Sequence, residues 1–178
     1  MPKCDPLLVL RAQSGDRDAL ESLLRDVQPT LLRYISGIVG SWGAKDVLQN
    51  VLLDIYRNLK WLRDPELFLP WAYRIASRAA FAVLKREKRW SSPDQEAVSP
   101  DDLASPRDPG FTNLFSGIPE ILDQLSPASR AVLHLHYVQD LTLEEAAAVL
   151  DITVGTAKSR LAYGLSCLRK LMERRKSQ

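Results

Sequence analysis

The chain has 178 residues, 46% of them hydrophobic, with 24 basic and 22 acidic side chains and a net charge of +2. That is too apolar to stay disordered and long enough for one medium domain or two small ones. No uncharged run approaches the roughly 18 residues that mark a membrane span, and Asp5 stands where a secretion signal needs its apolar core. Cys4 and Cys167 lie far apart and outside any CxxC spacing, which excludes a disulfide framework and a zinc site. The expectation is a cytoplasmic protein in which Cys167 is a small helix residue.

In chain order, the first periodic segment puts Leu20, Leu23, Leu24 and Val27 on one helical face, continued after Pro29 by Leu31, Leu32 and Ile35. The next, "AKDVLQNVLLDIYRNL", turns Leu48, Val51, Leu52, Ile55 and Leu59 inward and leaves Asp46, Gln49, Asn50, Asp54 and Arg57 outside. A third helix is predicted from about Pro70 to Lys88, with the proline tolerated in its first turn. Residues 91–117 carry four prolines, five acidic side chains and one basic one, with no apolar period. They read as a flexible acidic linker.

Beyond the linker, Ser126 is placed to cap a helix that opens with Pro127. Thr142 and Glu145 have capping-box spacing for the next helix. The last helix opens at Thr153 and Gly155. It turns Val154, Ala157, Leu161, Leu165, Leu168 and Met172 inward, and Thr156, Ser159, Arg160, Tyr163, Ser166 and Lys170 outward. No segment alternates convincingly as a strand. The predicted fold is all-α: two small helical domains, residues 1–90 and 118–178, joined by the linker at 91–117.

Charge divides in the same way. Residues 1–90 carry 15 basic and 10 acidic side chains, and residues 118–178 carry eight and seven, so the two domains are basic to neutral and the connector is acidic. That asymmetry suits polyanionic partners.

Catalysis finds little support. His134 and His136, two apart on a helix, point to different faces, which suits structural roles better than shared metal ligation. There is no P-loop, nucleophile elbow or dinucleotide turn. The expectation is no enzyme activity and no cofactor. DNA reading has firmer grounds. In "TLEEAAAVLDITVGTAKSRL" the small side chains Ala146, Ala147 and Ala148 let a second helix cross closely, as in a helix-turn-helix. Lys158 and Arg160 can neutralise phosphate or donate to guanine, and Thr156 and Ser159 are short enough to bond phosphates near the helix start. The plainer alternative is an ordinary helical hairpin with a solvated polar face.

A second candidate surface lies on the third helix. Arg74, Arg78, Phe81, Lys85 and Lys88 recur at four, three, four and three. They form a basic stripe with an aromatic in it, suited to a single strand whose phosphates need cations and whose bases need a flat surface. Alternatively, Lys85, Arg86, Lys88 and Arg89 simply complement the helix C-terminus.

The segment "TLEEAAAVLDITVGTAKSRL" resembles region 4 of the extracytoplasmic-function (ECF) sigma factors, an EIA-type helix followed by GTVKSRL. "KDVLQNVLLDIYRNL" is similar to the family's DLVQE-type helix and "FLPWAYRIASRAAFAVLKREKR" to its FRAWLYRIARN-type helix. "LLVLRAQSGDRDALESLLRDVQPTLLRYI" is similar to its opening. The resemblance implies a dissociable subunit of bacterial RNA polymerase. Its first domain would bind the core enzyme and open the −10 element, and its second would hold the −35 element. Asp46, Gln49 and Asn50, with Asp54 and Arg57 as neighbours, match the surface that docks on the polymerase clamp coiled coil. An anti-sigma factor is a further implied partner.

The chain departs from that pattern in places. Arg78 stands where the family commonly has Asn, and Ala82 where it has a small polar residue, which changes the surface that captures a flipped −10 base. Lys45 and Asn50 make the docking face less acidic. After "KSRL" the family often continues with arginines, whereas Ala162, Tyr163 and Gly164 follow here. Tyr163 could meet a thymine methyl or a phosphate, and Gly164 is expected to weaken the helix by about 1 kcal/mol relative to Ala. Two rivals stay open: a helix-turn-helix regulator that acts without polymerase, and a sigma mimic that titrates an anti-sigma factor.

Overall fold

The computed structural model describes residues 4–88 and 125–176. The chain divides into two compact units, Pro2–Pro93 and Asp94–Gln178. Every element among the described residues is helical, so the all-α expectation holds. The predicted linker and its boundaries at 90/91 and 117/118 lie outside the described residues. No helix among the described residues is long and apolar enough to cross a membrane.

The N-terminal unit holds α1 (Pro6–Gln13), α2 (Arg17–Val39), α3 (Ser41–Asn58), two single 3-10 turns (Leu59–Trp61 and Pro65–Leu67) and α4 (Phe68–Lys88). Each early start is set by an aspartate. Asp5 accepts from the Leu7 amide and Asp16 from the Ala19 amide, satisfying donors that a first helical turn leaves open. Asp16 also binds Arg11 at 2.6 Å. The Ala19 amide first, and then Arg11, hold its carboxyl below the usual range. Gln13 donates to the carbonyls of Leu59 and Leu62 at 2.9 and 2.7 Å, tying α1 to the turn after α3.

Helix α2 runs unbroken through Pro29. The proline is exposed, so the carbonyl it leaves without a donor faces water. The buried face of α2 is Ala19, Leu23, Val27, Leu31, Tyr34, Ile35 and Ile38. Leu20, Leu24 and Leu32, expected on it, are half-buried flanks. Gly40, at φ 81°, lets α3 begin immediately after α2 ends. Helix α4 starts at Phe68, two residues before Pro70, with Phe68 wholly buried and Trp71 half-buried beside it.

Between α2 and α4 lies a buried polar chain. The Ser77 hydroxyl donates to the Tyr73 carbonyl at 2.7 Å, so its single proton is spoken for and Tyr34 must donate to it at 2.6 Å. The Tyr34 and Tyr73 rings meet edge to face with centroids 5.1 Å apart. Burial pushes the Tyr34 phenol well up, and pushes the Tyr73 phenol up to about 12.

The C-terminal unit holds α5 (Pro127–Leu133), one π-helical turn (His134–Val138), α6 (Leu143–Leu150) and α7 (Val154–Lys176). Both expected caps form. Ser126 accepts from the Ser129 amide, and Thr142 and Glu145 close a capping box. The histidines serve the irregular turn: His136 Nδ1 donates to the Leu141 carbonyl at 2.7 Å, and the Gln139 amide lies 3.3 Å from His134 Nε2. Their separate partners fit structural roles. The inner face of α6 is Ala146, Ala147 and Val149; Ala148 is exposed. One third of the expected alanine seam is therefore wrong, because residue 148 falls about 100° past Ala147 on the helix.

Candidate nucleic-acid and protein interfaces

The turn between α6 and α7 is closed by Asp151 in a left-handed conformation, φ 58°, and by the Ile152 amide donating to the Ala147 carbonyl. Thr153 then caps α7, its Oγ1 accepting from the Thr156 amide at 3.1 Å and meeting Thr156 Oγ1 at 2.9 Å. Ala157 is wholly buried, and α7 packs against α6. These contacts fix the first two turns of α7, the part that would enter a groove.

The helical repeat sorts the residues there. Ser159 lies at the centre of the outward arc, with Thr156 and Tyr163 beside it, while Lys158 and Arg160 lie about 100° to either side. Lys158 and Tyr163 are exposed; Thr156, Ser159 and Arg160 are half-buried. Burial lowers the Arg160 pKa, yet a guanidinium stays charged at neutral pH. Ser159 donates its hydroxyl proton to the Gly155 carbonyl at 2.9 Å. In this state its oxygen is an acceptor, not the phosphate donor expected from sequence. Tyr163 is tied to Cys167, whose hydrogen bond raises its phenol above the ordinary value. Gly164 is buried, and the helix turns its packing face to α5 there.

On α4, Arg78 and Lys85 are exposed, and Arg74 and Phe81 are half-buried. All four lie on the side away from the buried Ala72, Ala76 and Ala80. Ala82 and Arg86 extend the exposed surface. The Lys88 side chain lies outside the described residues, so the stripe is described only from Arg74 to Lys85.

On α3, all five expected docking residues, Asp46, Gln49, Asn50, Asp54 and Arg57, are exposed. Three large apolar side chains share that face with them, which the sequence reading missed. Trp42 is fully exposed, and Leu53 and Tyr56 expose 44% and 59% of their surface. Trp42, Asp46, Gln49, Leu53 and Tyr56 follow each other at four, three, four and three, the seam spacing of a coiled-coil helix. That spacing is legible in the sequence.

Two family models match the chain: "Sigma-70 region 2" over residues 23–90 and "Sigma-70, region 4" over residues 121–170. The ECF RNA polymerase sigma-E factor of Escherichia coli K12 is 30% identical over 168 residues, covering 88% of both chains. The chain belongs to the ECF sigma factor family. The RNA polymerase sigma-H factor of Pseudomonas aeruginosa is also similar, 28% identical over 182 residues, covering 95% of this chain and 94% of that protein. Two solved structures share the fold. CnrH, in complex with the cytosolic domain of CnrY, has a TM-score of 0.66, 20% identity, and 95% and 97% coverage. RpoE of Bartonella quintana, in complex with the anti-sigma factor NepR, has 0.65, 19%, and 86% and 96%. This ECF sigma factor is thus a specificity subunit that directs RNA polymerase to promoters, and not an enzyme.

Proposed function

We propose that the two units divide promoter recognition between them. The first, residues 1–90, holds core polymerase through α3 and a melted −10 strand through α4; the second, residues 118–178, holds −35 duplex through α7. Residues 91–117 connect the two in sequence.

The observation that carries the −35 reading is the arrangement on α7. A helix in a major groove has a sugar-phosphate strand on each side and base edges at its centre. Lys158 and Arg160 flank it as phosphate contacts, whereas Thr156, Ser159 and Tyr163 face the bases. Ser159, with its proton committed to Gly155, suits a donor on a base edge. Lys158→Ala and Arg160→Ala should each weaken promoter binding across sequences and reduce the salt slope by about 1; unchanged slopes reject the assignment.

On α4, Arg74, Arg78, Phe81, Lys85 and Lys88 form the strand-binding stripe, with Arg78 and Ala82 shifting base preference at −10. On α3, the docking surface is Asp46, Gln49, Asn50, Asp54 and Arg57 together with Leu53, Tyr56 and Trp42. An apolar seam with a polar rim suits a helical partner such as the clamp coiled coil. Leu53→Asp should abolish binding to core polymerase while leaving the helix content intact.

The fold relatives CnrH and RpoE were each solved bound to a second protein, in the RpoE case an anti-sigma factor. That supports an anti-sigma partner here, and with it a cytoplasmic factor held idle until released.

A further inference from the structure

One feature of the C-terminal unit lies outside every DNA contact. A Cβ at Gly164 would stand 2.7 Å from Leu133 Cδ1, 3.4 Å from Leu133 Cγ and 3.5 Å from Ser129 Cβ. Real Cβ atoms essentially never show the first distance. Leu133 is wholly buried and belongs to a cluster with Leu125, Leu165 and Leu168, against which Tyr137, Leu161 and Cys167 pack. A Cβ at position 164 must therefore displace either the Leu133 side-chain tip within that cluster or the helix crossing itself. Helix α5 therefore rests on the bare backbone of α7 at this one position.

We infer that Gly164 is a positioning residue for promoter reading: its missing side chain sets how closely α5 and α7 cross, and thereby aims the first turns of α7. The inference rests on the assignment of α7 to the −35 duplex. Residues 156–160 lie four to eight positions before Gly164 in one continuous helix, about 6–12 Å along the same rod. A shift of the crossing is carried to the reading face, where recognition tolerates displacements of only about 0.5 Å. Position 164 itself touches no DNA in this arrangement, since it is buried against α5.

The alternative is that Gly164 is a mere weak point in a helix. Alanine is the better helix former, so that view has Gly164→Ala leaving recognition unchanged and stability level or raised. The positioning view gives a different outcome. The full chain is used to select duplexes from a randomised pool, and the affinity of each variant for the selected and for an unrelated duplex is compared. Gly164→Ala should lose roughly tenfold of the preference, toward the low end of what one misplaced base contact costs. Its affinity for the unrelated duplex should stay within about twofold, because phosphate contacts tolerate small tilts.

Adding Leu133→Val removes one methylene where Gly164→Ala adds one, a volume-conserving exchange. The double variant should fold and recover the preference, and this holds even where Gly164→Ala alone does not fold. An unchanged preference in Gly164→Ala overturns the inference, as does a double variant that fails to recover it. If the wild-type chain selects no duplex at all, the assignment of α7 to DNA falls with it.

Discussion

Both units bury large and small apolar side chains, but they differ in one feature at their helix contacts. The N-terminal unit closes on large side chains, Tyr34, Tyr73, Phe68, Leu23 and Ile35, with a hydroxyl chain threaded between them. The C-terminal unit buries Leu133, Leu135, Leu141, Leu165 and Leu168 together with the small Ala146, Ala147 and Ala157, and sets the bare backbone of Gly164 against α5. Small-residue crossings fix where a helix points, which is what a groove reader needs. In the division of labour proposed above, the first unit presents surfaces and the second aims a helix.

The comparison breaks first at Leu133. Leu133→Ala should cost about 2–5 kcal/mol and lower amide exchange protection in α5–α7 while leaving α2–α4 unchanged. Loss of protection in both units would mean that their stabilities are linked. The matching cut in the first unit is Ser77→Ala, which removes the buried hydroxyl to which Tyr34 donates and should cost about 1–3 kcal/mol, read from α2 and α4. Tyr34→Phe should cost less, about 1 kcal/mol, because Ser77 keeps its own acceptor; the reverse order in chemical denaturation would contradict the donor assignment.

The hydroxyl chain also predicts a difference in alkali. Tyr73 is raised from 10.0 to about 12 by burial, so the folded state favours its neutral form. The stability tied to it is complete below pH 10 and is lost as pH rises toward about 12. Circular dichroism of Tyr73→Phe should show a smaller loss over that window. The smallest effect is expected at the cap of α6. Thr142→Ala removes half of the capping box and should cost about 1 kcal/mol, confined to the second unit.

Much of this was legible beforehand. The caps at Ser126 and Thr142, the periodic faces of α3 and α7 and the solvent exposure of Asp46, Gln49, Asn50, Asp54 and Arg57 follow from local rules, because each depends on residues within a turn or two. What was not legible depends on contacts distant in sequence. The cost assigned to Gly164 from helix propensity ignored Leu133, 31 positions earlier. The committed proton of Ser159 and the exposure of Ala148 are matters of a single helical step. The exposure of Trp42, Leu53 and Tyr56 depends on which side of α3 packs on its neighbours, which the sequence does not fix residue by residue.

The account turns on one assembly. The full chain should be combined with bacterial core polymerase on a randomised promoter library and its transcription start sites mapped. The prediction is transcription from templates sharing two separated sequence blocks, one at −35 and one at −10. A chain that never joins the core enzyme, or that yields starts sharing no such blocks, would contradict it.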